Sequence, residues 1–328
     1  MTTSLTDSFG RPIEYLRLSV TDRCDLRCFY CMPKDFRDYE IPDHWLTFDE
    51  IERVVGAFGR LGVKRLRLTG GEPLVRKDIP DLARRLSALP GIEDLSLSTN
   101  AVKMAKHAEA LAAAGVGRLN VSLDSLQPER FREITGGGRL DKVIDGLLAA
   151  KAAGLDPIKL NMVVMRGVND DEVESMVDFC LEHGFTLRFI ETMPVGETGV
   201  EASSHYIDLR EIKRRLAERY ELLPGAMPGG GPARYVRVSG TDLNIGFITP
   251  ISQHFCETCN RVRLSVDGTL YMCLGQDHSY PLRPLLRGGV SDAELEAAVM
   301  EAMTLKPERH EFGERPGHVV RFMSMTGG

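Results

Sequence analysis

From about residue 14 to residue 190, short runs of alternating apolar and polar residues take turns with longer segments of helical apolar spacing. The short runs, 15–20, 65–69, 94–98, 118–123, 158–164 and 186–190, have the length and side chains of strands. Between the first two, Thr47-Phe-Asp-Glu50 has the form of a capping box, and Ile51, Val54, Val55 and Phe58 follow at helical spacing as far as Gly62. Val173, Met176, Val177, Cys180 and Leu181 trace the buried face of another helix, expected to open at Asp170 and close at Gly184. Six β–α units of about 25–35 residues imply parallel strands joined by right-handed crossovers. No dinucleotide-binding glycine fingerprint follows the first strand, so the expected α/β fold is an incomplete (β/α)6 barrel. Its chemistry belongs at the C-terminal ends of the strands.

The pattern changes after about residue 205, which predicts a first part over 1–205 and a second over 206–328. A helix is expected over 208–220. Pro224–Pro232 reads as a loop, because its triple glycine lacks the Walker lysine of a phosphate cradle. Strands are expected at 233–238 and 243–248. Residues 261–266 and 269–273 should form a hairpin around Asp267-Gly268, and Ser291-Asp-Ala-Glu294 should cap a further helix.

Composition narrows the function classes. The chain has 328 residues, 43% hydrophobic and 27% charged, which is ordinary for a globular protein. It has no apolar run near the ~20 residues of a membrane span, and its first residues lack a signal-peptide pattern, so a cytoplasmic location is expected. A net charge of −6 gives no whole-molecule attraction to nucleic acid. Cations for an anionic substrate must therefore be local. Seven cysteines, an odd number, argue against a disulfide framework. Cys180, on its helical face, reads as a core residue.

The other six cysteines form two triplets. Cys24, Cys28 and Cys31, just after the first strand, provide one thiolate too few for a closed tetrahedral zinc site. On a [4Fe–4S] cluster, three thiolates leave one iron open to a further ligand, as chelation of S-adenosylmethionine requires. Zinc binding is the alternative. Cys256, Cys259 and Cys273 form the second triplet, with the hairpin folding Cys273 back beside the Cys-x2-Cys pair. His254 could complete a Cys3His zinc site there, and a second cluster fits the same thiolates. Arg261 and Arg263, two apart on a strand, favour the cluster reading. They present two forked donors, suited to carboxylate or phosphate, from one face beside the thiolates.

The spacing of the first triplet, with Tyr30 before its third cysteine, resembles the radical S-adenosylmethionine superfamily. Gly-Gly-Glu-Pro at 70–73 resembles that superfamily's segment for the methionine amino group. Arg17-Leu-Ser-Val-Thr-Asp-Arg-Cys24, Cys28-Phe-Tyr-Cys-Met-Pro33, Cys256-Glu-Thr-Cys-Asn-Arg-Val-Arg263 and the closing Gly327-Gly328 together resemble the GTP 3′,8-cyclase family over nearly the whole chain. The resemblance implies an incomplete barrel of the triose-phosphate-isomerase type whose open side is closed by a C-terminal α+β region. It implies two [4Fe–4S] clusters, the first on Cys24, Cys28 and Cys31, the second on Cys256, Cys259 and Cys273.

By the same resemblance, Tyr30, Gly71, Ser122 and Met193 contact S-adenosylmethionine, and Arg17, Arg67, Ser98, Lys159, Arg261 and Arg263 contact GTP. Gly327 and Gly328 reach into the active site. Where the family usually has Thr-Thr-Asn-Gly, this chain has Ser98-Thr-Asn-Ala101; serine keeps the hydroxyl. The implied reaction converts GTP to (8S)-3′,8-cyclo-7,8-dihydroguanosine 5′-triphosphate at the start of molybdenum cofactor biosynthesis. Its implied partners are an electron donor and a cyclic pyranopterin monophosphate synthase, with a homodimer allowed. A radical enzyme acting on a peptide and a non-enzymatic zinc protein are the competing readings.

Overall fold

A computed structural model of the chain describes residues 4–315 and 317–327. The six expected strands form at Tyr15–Ser19 (β1), Arg65–Thr69 (β2), Asp94–Thr99 (β3), Arg118–Ser122 (β4), Ile158–Val163 (β5) and Thr186–Ile190 (β6). The later strands are Leu222–Gly225 (β7), Arg234–Val238 (β8), Asn244–Ile248 (β9), Arg261–Leu264 (β10), Thr269–Tyr271 (β11) and Ser279–Pro281 (β12). They build one sheet in the order β12-β11-β10-β1-β2-β3-β4-β5-β6-β9-β8-β7. From β10 to β9 every pairing is parallel. Among the described residues β9 and β10 do not pair with each other, so the barrel stays open, as expected.

Alternation along the strands separates two environments. Leu16, Leu18, Leu66, Leu68, Leu119, Leu160, Leu187 and Phe189 face the surrounding helices and are fully buried in one continuous core. The intervening positions are polar. Arg17, Arg67, Ser96, Asn120, Lys159, Arg188 and Arg263 face the barrel interior, none more than 8% exposed. An ordinary barrel of this kind fills its interior with branched apolar side chains. Here the interior is built to hold something polar.

The capping box at Thr47 forms and starts the helix Phe48–Arg60. The helix expected from Asp170 begins later: Asp170–Glu172 is a 3-10 turn, and the α-helix runs Val173–His183 to a C-cap at Gly184. Pro224 and Gly225, expected in a loop, lie in the edge strand β7 paired with β8, where the proline's missing N–H costs no ladder bond. The helices Ile79–Ser87, Ala108–Ala113, Pro128–Ile134 and Leu140–Ala152 complete the outer layer.

Candidate active site

The loop after β1 carries the first three cysteines. It is folded by Cys31 N–H and Met32 N–H donating to the Cys28 carbonyl at 2.9 and 3.1 Å. The loop closes over a cavity at the C-terminal ends of the strands. Cys24, Cys28, Tyr30, Cys31, Gly71, Ser98, Ser122 and Met193 all line it. The glycine turn is held by Gly71 N–H to Thr21 O and Glu72 N–H to Arg23 O, both 2.8 Å. A Cβ on Gly71 would overlap the Arg23 carbonyl, so only glycine permits this approach.

Two buried carboxylates stiffen the same cavity. Glu72 accepts from Thr99 Oγ1 and Asn100 N–H at 2.7 Å and from Leu74 N–H at 3.0 Å, and burial raises it to about 7. Asp124 accepts from the Tyr30 hydroxyl at 2.6 Å and Val163 N–H at 2.8 Å; burial raises it to about 6 against the pull of those bonds. The three thiols are also pushed up, chiefly by burial, Cys31 to about 11. Ligation to a metal would offset that cost, because a metal deprotonates the thiol it binds.

A second cavity opens from the first: Asn161, Ile190 and Met193 line both. Its walls carry Cys256, Cys259 and Cys273 together with Tyr15, Arg17, Arg67, Arg188, Arg261 and Arg263. Register explains the crowding of cations, since Arg17 lies between Arg67 on β2 and Arg263 on β10. Arg17 is pushed well below its ordinary value, first by burial and then by Arg263 and Arg67. Arg188 and Arg263 fall to about 10, again mainly by burial. Lys159, nearer the N-terminal ends of the strands, falls to about 7 through burial and then Arg188; its ammonium faces the Pro228 carbonyl at 3.5 Å. Among the described residues the buried donors Arg17 Nε and Nη2, Arg188 Nε and Arg261 Nε have no acceptor. Unpaired buried donors cost about 1–3 kcal/mol each, more when charged, so the set suits a polyanion.

Three thiols at each site match the donor set of a four-iron cluster with one iron left open. A single zinc needs every donor about 2.0–2.3 Å from one point. Among the described residues no three Cys, His, Asp or Glu side chains converge in that way. A four-iron cluster takes each thiolate on a different iron, which sets the sulfurs farther apart. His254, the alternative fourth zinc ligand, faces Glu257 at 3.7 Å and meets the His310 ring edge-on at 6.2 Å between centroids. Burial raises Cys256 and Cys273. For Cys259 the burial effect is outweighed by Lys306 and Arg261, and its thiol lies below the usual value.

The segment 323–327 runs between the two cavities. Met323 and Ser324 line the first, while Arg263 Nη1 donates to Thr326 O at 3.3 Å and to Gly327 O. Gly327 has φ 72°, and a Cβ there would overlap the Thr69 side chain. Gly328 lies outside the described residues.

Comparison with known proteins agrees with this geometry. Residues 18–180 match the radical SAM superfamily and residues 185–312 match Molybdenum Cofactor Synthesis C. GTP 3′,8-cyclase of Hydrogenovibrio crunogenus is 48% identical over 98% of each chain. GTP 3′,8-cyclase 1 of Pseudomonas aeruginosa is 50% identical over 99% of this chain and 100% of its own. The chain belongs to the GTP 3′,8-cyclase family. Among solved structures, Streptococcus suis SuiB bound to S-adenosylmethionine superposes with a TM-score of 0.62 over 88% of this chain and 68% of its own; at 17% identity this shows the fold alone.

The structure adds residues to this cyclase-family site that sequence reasoning passed over. Arg188 reads as a lone charge in the apolar run of β6, yet it faces the second cavity and donates to Asn120 Oδ1. Asn161 sits where the cavities meet, and its Oδ1 is buried without a partner among the described residues. The available signal was alternation: each is two residues from another inward-facing position on its strand.

Proposed function

We propose that this chain converts GTP to (8S)-3′,8-cyclo-7,8-dihydroguanosine 5′-triphosphate, the first step of molybdenum cofactor biosynthesis. The observation that carries this reading is the joined pair of cavities, each with three thiols, the second walled by arginines with unpaired donors. When bound, a reduced [4Fe–4S] cluster with S-adenosylmethionine supplies one-electron chemistry at carbon, here removal of the C3′ hydrogen before C3′ joins C8 of guanine.

In this reading Cys24, Cys28 and Cys31 hold that cluster, and Cys256, Cys259 and Cys273 hold a second one facing the guanine. Tyr30, Gly71, Ser122 and Met193 orient S-adenosylmethionine. Arg17, Arg67, Lys159, Arg261 and Arg263, joined by Arg188, orient the triphosphate and neutralise it. Ser98 lines the first cavity, where its hydroxyl could meet the ribose at the junction with S-adenosylmethionine. The enclosing walls keep water from the reacting carbons. Residues 1–205 carry the first cysteine triplet and 206–328 the second, while each part lends walls to both cavities. The reading extends to a cytoplasmic enzyme, a separate electron donor and a cyclic pyranopterin monophosphate synthase that takes the product.

The test is anaerobic incubation with GTP, S-adenosylmethionine and dithionite. Mass analysis should find 5′-deoxyadenosine and the cyclised nucleotide, from protein holding about eight irons, twice the four of one cluster. Zinc without acid-labile sulfide, or 5′-deoxyadenosine formed only in the presence of a peptide, would refute it.

The arginines give a quantitative check. Arg261→Ala removes a charge-assisted contact of about 1.5–3 kcal/mol, so GTP binding should weaken by roughly ten- to a hundredfold. Guanosine, lacking phosphates, should lose far less. Equal losses for the two ligands would assign Arg261 to hairpin support. Arg263→Ala should show a larger loss, because Arg263 also holds the Gly327 carbonyl.

A further inference from the structure

Three buried cations from outside the cysteine hairpin brace the second triplet, one at each cysteine. Arg11 Nη1 donates to the Cys256 carbonyl at 2.8 Å, and Arg321 Nη2 donates to the Cys273 carbonyl at 2.8 Å. Both have a carboxylate of their own, Asp7 for Arg11 and Asp277 for Arg321. Their charges are compensated before the sulfurs feel them.

Lys306 differs. It is 3% exposed, just beyond the helix Asp292–Met303, and its ammonium reaches the Cys259 sulfur itself at 3.5 Å. Its other two donors go to the carbonyls of Arg261 at 2.9 Å and Met272 at 2.8 Å, which leaves no freedom to turn away. Among the described residues it makes no ion pair with a carboxylate. A buried ammonium without a counter-anion is costly, and the neighbour able to carry negative charge is the Cys259 sulfur.

We infer that Lys306 is a positioning and tuning residue of the second cluster, giving a charge-assisted N–H···S bond to its Cys259 ligand. This rests on the reading of Cys256, Cys259 and Cys273 as cluster ligands. Hydrogen bonds to the sulfurs and nearby charge are main determinants of an iron–sulfur potential. A cation at the sulfur stabilises the reduced, more negative cluster, so it raises the potential. It also withdraws electron density from the cluster, making the open iron a better acceptor for the guanine edge. The carbonyl bonds tie Arg261 to the same ammonium, so cluster and substrate arginine share one anchor.

The experiment is a potentiometric titration of the anaerobic holoenzyme, followed by electron paramagnetic resonance, for wild type, Lys306→Met, Lys306→Gln and Lys306→Arg. In Lys306→Met the second cluster's reduction equilibrium should shift about tenfold toward the oxidised form, a fall of about 59 mV for one electron, with the first cluster unmoved. Lys306→Arg should restore most of it. If Lys306→Met sheds the second cluster, Lys306→Gln decides in its place, and loss in both neutral variants with retention in Lys306→Arg also supports the cation. An unshifted second couple in a neutral variant that keeps eight irons, or loss of the cluster in all three variants, overturns the inference in favour of a packing role. Iron and sulfide analysis of wild type tests the ligand reading separately, because four irons or zinc there would refute that reading whatever the lysine variants do.

Discussion

Cys24→Ala is expected to abolish cleavage of S-adenosylmethionine, with no 5′-deoxyadenosine above background. The substitution removes one of three thiolates, and no further Cys or His lines that cavity to replace it. Its structural cost is small: the sulfur accepts from Leu26 N–H at 3.4 Å and Asn100 Nδ2 at 3.9 Å, both weak bonds. Far-ultraviolet circular dichroism should therefore match wild type. Cys256→Ala is expected to behave differently. It leaves the first cavity intact, so some 5′-deoxyadenosine should still form, uncoupled from product, while cyclised nucleotide disappears. Normal cyclisation by Cys256→Ala would sink the assignment of the second triplet to substrate positioning. Cleavage surviving in Cys24→Ala would sink that of the first.

Gly327→Ala should reduce cyclisation sharply while leaving both clusters and S-adenosylmethionine cleavage in place. An alanine at φ 72° costs about 1–2 kcal/mol from its left-handed backbone alone. That corresponds to roughly five- to thirtyfold. The overlap with the Thr69 side chain adds to this, so the chain end would leave its place beside Arg263. Deleting Gly327 and Gly328 together should nearly abolish product. A Thr69→Ser change in the Gly327→Ala background removes the obstructing methyl and should recover part of the loss. Undiminished cyclisation in Gly327→Ala would make the close fit at Thr69 irrelevant to function.

Much of this was legible in the chain because strands of a (β/α) unit declare themselves locally. Leu-Arg-Leu in β1 and again in β2 already separates an apolar outer face from a charged inner one. The cysteine triplets were legible because ligand spacing within a loop is a short-range property. Contacts made across the fold were not. Lys306 is an unremarkable residue in a segment of weak periodicity, and its partner Cys259 lies on the other side of the hairpin and a helix. The roles of Asp124 and Glu72 come from burial and from hydrogen-bond partners on other strands and loops, which no local pattern shows. The late start of the helix at Val173 reflects the same limit, since buried Glu172 is held in a 3-10 turn by Ser125 Oγ, Leu126 N–H and Arg130, contacts made across the fold.

The order in which the sheet is assembled has a cost during synthesis. The strands that flank the six β–α units, β9 beside β6 and β10 beside β1, come from a stretch translated well after them. Tyr15 waits for Arg261 to pair with it. Until that stretch emerges, the nascent barrel has two bare parallel edges whose N–H and C=O groups can recruit another chain. Pairing across so long a separation is also slow. Such a protein should depend on chaperone shelter while it is made, and a fragment ending at residue 205 should aggregate instead of remaining a soluble half-enzyme.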